Sequence, residues 1–416
     1  MVASATHTDM PKRQGITTEL QHAIIRAYVG SGGSVTHTMQ AVGCSTNAVG
    51  RYVGLWRTGK LVVPGCDPND GQVSNKSLKQ ENAELRHELE EARKLADMFK
   101  FVREAKVEIP AWTMRARTGT KAAIPTAFLS DVHLDEVVDP REVNYVNAYD
   151  REIAALRLNN FFHHTIEIAD DYLQGLKYEG IVLPLGGDIF SGIIHEELVE
   201  TNAGTIFESL LHWAEPICAG ILLFRDAFGR VFLPCVAGNH GRRQRRPHAK
   251  HRAQDNFDWF FYHLLRKLLA KEKGIEFAIA ESADQPYRVF NTRYLLTHGD
   301  QFKGGSGIAG MLSPLMLGDA RKRQREAAVK RNYDYLVMGH WHQLAFVRGM
   351  IINGSSKGYD EYAFVSNFQF EPPRQAFWVT DPRHGVTITA PIHVIDASEI
   401  YTAESGHQAT ATMGTI

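Results

Sequence analysis

Cysteine is scarce in this chain. There are four among 416 residues, Cys44, Cys66, Cys218 and Cys235, and no two stand at Cys-x-x-Cys spacing. That excludes a zinc ribbon and a disulfide framework, and it fits a reducing compartment. Net charge is nearly absent as well: 46 Lys and Arg against 47 Asp and Glu leave −1. No overall field draws a partner, so local clusters decide. No apolar run reaches the length of a bilayer span, and the first residues hold no apolar signal core. These absences lead to the expectation of a cytoplasmic protein of two or three domains with no membrane partner.

What is present is one ending, used five times. Phe232 to Ala237 reads as a buried strand that stops at Gly238-Asn239-His240. The run from Ala122 to Leu129 ends in Ser130-Asp131-Val132-His133, and Gly180 to Leu185 ends in Gly186-Gly187-Asp188. Arg293 to Leu296 ends in Thr297-His298-Gly299-Asp300, and Tyr335 to Met338 in Gly339-His340-Trp341-His342. Helical stretches over roughly 143–176, 203–224 and 255–273 alternate with these strands. In layered α/β folds, side chains at strand ends converge on one edge. The oxygen and nitrogen donors Asp131, His133, Asp188, Asn239, His298, His340 and His342, gathered there, describe a metal site. Two divalent cations close together need a bridging carboxylate and several terminal donors. Imidazole with carboxylate suits manganese, iron, zinc or nickel, and the lack of cysteine argues against a thiolate site.

The series Asp-Val-His, Gly-Asp, Gly-Asn-His, His-Gly and Gly-His-Trp-His resembles the calcineurin-like metallophosphoesterase family, in the family's order, over about 121–390. The Gly187-Asp188-Ile189-Phe190 segment looks more like the DNA-repair (Mre11/SbcD-like) nuclease branch than the phosphoprotein phosphatases. The resemblance implies an α/β fold, a four-layer sandwich of two mixed β-sheets flanked by helices, over 120–396. It implies a first metal held by Asp131, His133, Asp188 and His342, and a second by Asp188, Asn239, His298 and His340. Asp188 bridges, and manganese is the first choice. It implies hydrolysis of a phosphate ester by a hydroxide shared between the metals, with His240 as the catalytic residue beside the leaving group. Gly241 stands where the family commonly has an acidic residue.

Ahead of this domain the sequence predicts a helix-turn-helix domain over 16–60, a linker over 61–75 and a further helix over 76–106; a polar tail of 397–416 follows it. The head resembles the small DNA-binding heads of resolvases and transposases, and Asn47 and Arg51 on its third helix suit base edges. In the 76–106 helix, Leu78, Leu85, Ala92 and Phe99 recur every seven residues, and Asn82, Leu89 and Ala96 fill the second seam position. Either this is a short coiled coil pairing two copies through residues 76–101, or it is an amphipathic helix packed on the next domain. Arg242, Arg243, Arg245 and Arg246 follow His240 directly and are expected to bind substrate phosphate. A second basic cluster is Arg321, Lys322, Arg323 and Arg325. Asp135, His163, His164 and His195 stay outside the expected site, as do His248 and His251. Gly304-Gly305-Ser306-Gly307 reads as a loop close to His298. The expected function is a DNA nuclease, with DNA as partner and a phage or mobile element as source. The alternatives are a phosphatase or phosphodiesterase on a nucleotide or phosphoprotein, and a non-enzymatic DNA-binding regulator.

Overall fold

The structure is a computed structural model, and it describes residues 16–68, 82–90, 93, 109–114, 122–303 and 310–395. Contacts divide the chain into two units, Met1–Glu104 and Ala105–Ile416. Four of the seam residues read above (Leu78, Ala92, Ala96 and Phe99), the Gly304–Gly307 run and the 397–416 tail lie outside the described residues. Residues 82–90 are helical, with Leu85 and Leu89 exposed.

The first unit holds α1 (Thr18–Gly30), α2 (Val35–Val42) and α3 (Thr46–Arg57). Each begins where a side-chain oxygen caps it: Thr17 accepts from Leu20 N–H, Ser34 from His37 and Ser45 from Ala48. Gly43, at φ +67°, ends α2 and lets a three-residue turn lead into α3. Ile24, Ile25, Tyr28, Val49, Val53 and Trp56 form a core of their own. Asn47 and Arg51 lie on the exposed part of α3.

The second unit is built on two mixed sheets. The first has the strand order β12–β11–β1–β3–β4–β5, with β2 beside β1. These strands are β1 (Ala122–Ala127), β2 (Lys177–Tyr178), β3 (Ile181–Val182), β4 (Val231–Cys235), β5 (Ile275–Ile279), β11 (Arg374–Asp381) and β12 (Gly385–His393). The β1–β3–β4–β5 run is parallel, with Thr126 opposite Val182 and Val182 opposite Phe232. The second sheet has the order β6–β7–β8–β10–β9, from β6 (Asp284–Val289), β7 (Thr292–Thr297), β8 (Tyr335–Met338), β9 (Ala345–Val347) and β10 (Met350–Ile352). Ile124, Phe128, Val182 and Phe232 meet Tyr287, Tyr294, Leu296 and Val337 between the sheets. The outer face of the first sheet carries α4 (Arg151–Glu167), α5 (Ile206–Phe228) and α6 (Phe257–Leu268) through Phe161, Trp213, Phe224 and Phe261. α7 (Leu312–Ala328) sets Leu315 against Leu336 and Met338 of the second. The result is the four-layer α/β/β/α arrangement, and both central sheets are buried on two faces, as parallel strands require.

Two helices differ from their expected extent. α4 starts only at Arg151, because Asp150 caps it through Ile153 N–H and the chain before it is tied back by the Val138–Tyr149 bridge. α5 starts at Ile206, fixed by a Thr205–Glu208 capping box, and runs on to Phe228. Its 23 residues are long and apolar enough to cross a membrane. Here Leu210, Trp213, Ile217, Ile221 and Phe224 of α5 are buried in the core.

Candidate metal centre

The loops that follow β1, β3, β4, β7 and β8 meet at one edge of the two sheets. Asp131 N–H donates to Gly187 O at 3.1 Å, and Gly339 N–H to His298 O at 2.9 Å. All seven expected donors come together there with His240. Asp131, His133 and His342 form one group, Asp188, His298 and His340 a second, and His133, Asp188 and His240 a third, with the ligand atoms in each group within 4.8 Å of one another. Asn239 Oδ1 lies 3.1 Å from His298 Nε2. Asp188 is shared: Oδ2 is 2.9 Å from His298 Nε2, and Oδ1 accepts the His240 backbone N–H at 2.7 Å.

The backbone is strained to make this cluster. Asp131, His133, Asp188, His340 and His342 all sit in the left-handed region, at φ between 51° and 69°. Each such residue costs about 1 kcal/mol or more, and such outliers gather where a site over-determines them. Two glycines allow the close approach. A Cβ on Gly238 would stand 2.1 Å from Asp188 Oδ1, and one on Gly339 would stand 2.0 Å from Asp131 Oδ2.

The donor set fits divalent cations on its own chemistry. His298 Nδ1 contacts the Gly186 carbonyl at 2.8 Å, and a carbonyl can only accept, so that nitrogen carries the proton. In the neutral ring the Nε2 lone pair then faces Asp188 Oδ2 and Asn239 Oδ1, three acceptors turned toward one point. Only positive charge settles that arrangement. Burial works against a charged His298, yet Asp188, with Asp131 and Asp300, pushes it up to about 10. Asp188 is buried too, and His298 and His240 hold its carboxyl well below the usual carboxylate range. Burial, then His298, pushes His340 down to about 4; burial, then Lys357 and His240, does the same to His133. His340 and His133 are thus neutral beside ionised carboxylates, as metal ligation requires, while His298 keeps a proton on Nε2 that a bound cation would displace.

Several groups that hold the cluster carried no sequence motif. Under Asp131, Ser130 Oγ donates to Oδ2 at 2.5 Å, and Asn353 Nδ2 donates to Ser130 Oγ at 2.9 Å and to Gln375 Oε1 at 2.6 Å. Glu136 Oε2 lies 3.1 Å from His133 Nδ1, and its other oxygen accepts from Lys357 Nζ at 2.7 Å. Asp258, in the first turn of α6, accepts from Asp188 N–H and Gly238 N–H at 2.9 Å each, and from Ile189 N–H at 3.3 Å. Burial, and then Asp188's charge, pushes the Asp258 carboxyl up to about 7. His240 is oriented by Ser191, whose carbonyl receives Nδ1–H at 2.8 Å. No acidic side chain could stand at Gly241, since its Cβ would meet Asn256 Oδ1 at 2.4 Å. His195 belongs to the site after all: it lines the cavity, and its ring lies 5.6 Å from that of His240. Asp135 stays structural, bonded to Arg151, Ser209 and Trp213.

A cavity of about 370 Å³ opens over the cluster, lined by Asp188, Asn239, His240, His342, Lys357 and Tyr362 among others. The basic run does not line it. Arg242 donates to the Gln244 and Arg245 carbonyls, Arg243 pairs with Asp255, Arg245 with Glu196 and Arg252 with Asp300. Arg246 makes no ion pair among the described residues. In the second cluster, Lys322 and Arg325 bind Asp284, and Arg323 binds Asp319.

No protein-family model matches the chain, and no curated protein matches it. Among the solved structures that overlap it are three. One is a conserved uncharacterized protein from Streptococcus pneumoniae TIGR4, described as a predicted phosphoesterase: 12% identity, TM-score 0.25, covering 64% of this chain and 95% of that one. Another is Vacuolar Protein Sorting 29 from Cryptosporidium parvum: 13% identity, TM-score 0.24, covering 65% of this chain and 96% of that one. The third is the sulfate thiohydrolase SoxB of Thermus thermophilus, solved with glycerol: 10% identity, TM-score 0.27, covering 71% of this chain and 62% of that one. At this level of likeness, what the chain does is decided by its own side chains.

Proposed function

We propose that this chain is a metal-dependent phosphoesterase that hydrolyses phosphodiester bonds, and that DNA is its substrate. One observation carries the reading: His298 Nε2, Asp188 Oδ2 and Asn239 Oδ1 converge on one buried point, where a proton or a metal cation must sit between them. Asp131, His133, Asp188 and His342 would hold one divalent cation, and Asp188, Asn239, His298 and His340 a second, with manganese the first to try. Such a pair supplies Lewis acidity toward phosphoryl oxygens and lowers the pKa of water at the site. Asn239 contributes an oxygen without a charge, so the centre keeps its net positive character toward a phosphate. His240 donates Nδ1–H to Ser191 O, which fixes the ring and leaves Nε2 to meet the departing oxygen.

A smaller phosphodiester, a nucleotide, is the second reading. The engagement of Arg242 and Arg243 by their own loop, and of Arg245 by Glu196, favours it over a long polyanion. The deciding assay compares a chromogenic diester, a monoester, and single- and double-stranded DNA with manganese present. Turnover of the monoester alone would overturn the diesterase reading. Removing residues 1–70 should weaken DNA binding and spare the chromogenic diester, because Asn47 and Arg51 are exposed on α3. Unchanged DNA binding would take the head out of the proposal.

His240→Ala tests the catalytic role separately. It should keep both metals and lose about 10²–10⁴ in kcat, the usual worth of a positioned acid or base. Metal content by plasma emission and kcat on the same preparation decide it. A variant that loses its metal would make His240 a ligand instead.

A further inference from the structure

We propose that an aromatic shelf at the mouth of the cavity, Tyr362 and Phe368 backed by Tyr359, stacks the nucleobase next to the scissile phosphate. The substrate is then an unpaired nucleotide unit; this rests on the phosphodiesterase reading for the phosphate itself. The same cavity is lined both by the His and Asp cluster and by Tyr359, Tyr362 and Phe368. One bound group can therefore touch both. Tyr362 and Phe368 are 69% and 51% exposed, and their rings meet edge to face at 5.8 Å. Exposed aromatic surface beside a polar cluster marks a binding place.

The shelf is built, not loose. It is carried by the one-turn helix α8 (Glu361–Val365), whose first turn Asp360 caps through Ala363 N–H at 2.7 Å. Tyr359 Oη donates to Phe368 O at 2.7 Å and fastens the far end. Asp360 also pairs with the buried Lys357, and Lys357 pairs with Glu136 against His133. The ring platform and a predicted metal ligand thus hang on one ion network. Gln343 and Gln369 line the cavity as well, each an amide that can donate to and accept from a base edge. The wall also holds Glu197, with Asp360 paired to Lys357 and Glu371 paired to Arg374. Affinity there must come from ring contact more than from charge. Base stacking on an aromatic side chain tolerates any sequence and needs the base out of the duplex.

The test uses the full chain with manganese and four probes: a short single strand carrying 2-aminopurine, the same strand with abasic sites, its duplex, and a dinucleotide. Tyr362→Ala and Phe368→Ala should each raise KM for the single strand by about 10- to 100-fold. They should also cut the quenching of 2-aminopurine fluorescence, and Tyr362→Phe should restore both. On the abasic strand the Tyr362→Ala penalty should largely vanish, as a double-mutant cycle requires. Equal KM for the abasic and base-bearing strands, or preference for the duplex, would overturn the shelf. Turnover of the dinucleotide as readily as the strand assigns a small nucleotide; turnover of the strand alone assigns DNA; the shelf stands in both. Quenching that Tyr362→Ala abolishes, without hydrolysis of any probe, would remove the phosphodiesterase reading and leave the shelf. Hydrolysis without quenching would do the reverse.

Discussion

Asp188→Asn should lower kcat/KM on a phosphodiester by about a thousandfold, because the Lewis acidity it would remove is worth several kcal/mol. The carboxylate is 1% exposed and faces two ways: toward His298 Nε2 through Oδ2, and toward the His240 backbone N–H through Oδ1. It is the residue common to the second and third candidate groups. An amide of the same shape removes the negative charge and turns an N–H₂ toward either His298 or the His240 N–H. With the charge gone, the main support for a raised His298 goes too. Metal binding should then fall below two per chain, and the loss should not be repaired by excess manganese. Equilibrium dialysis with plasma emission reads the metal, and initial rates read the chemistry. A variant with two metals and near-normal rates would show that Asp188 does not join the two halves of the centre.

Those halves were legible in the sequence for a physical reason. Each strand-end motif is local, and parallel strands bring their ends to one edge whatever the rest does. Capping is equally local, being decided within four residues, yet the expected start of α5 near 203 missed the Thr205–Glu208 box. What acts across distance was not legible. Asp258 lies 70 residues from Asp188, and Glu136 lies 221 from Lys357. Nothing in either segment announces its partner. The arginine run shows the same limit from the other side. Its charge is plain in the sequence, but the acids that engage it, Glu196 and Asp300, stand 49 and 48 residues away. His195 looked like a stray histidine because its companion His240 is on another loop. The left-handed backbone at Asp131, His133 and His342 leaves only a weak composition signal, since Asp and His are enriched in that region but most of them lie outside it.

Asp258→Ala should be the most damaging change among residues that touch no substrate. Its carboxylate ties the Gly187–Asp188 loop to the Gly238 loop by accepting three backbone N–H groups, from Asp188, Ile189 and Gly238. All three hydrogen bonds are buried, so removing the acceptor leaves three buried donors at about 1–3 kcal/mol each. We expect a net loss of about 3–5 kcal/mol, the upper range for one substitution. In a unit of this size that corresponds to a fall in Tm of about 5–8 °C. Asn256 sharpens the case, since its Oδ1 accepts Asp258 N–H at 2.8 Å and its Nδ2 donates to Gly238 O at 2.8 Å. The two side chains form one clamp at the start of α6. Asp258→Asn keeps the shape and one acceptor, so it should lose less stability than Asp258→Ala. Both should weaken metal binding by about 10- to 100-fold, as groups that orient ligands do. Thermal unfolding with and without chelator separates the effects. A Tm that drops equally in both conditions assigns Asp258 to the loops alone. A drop that grows when metal is supplied assigns it to holding Asp188 for the metal, because the wild type then gains binding energy that the variant cannot.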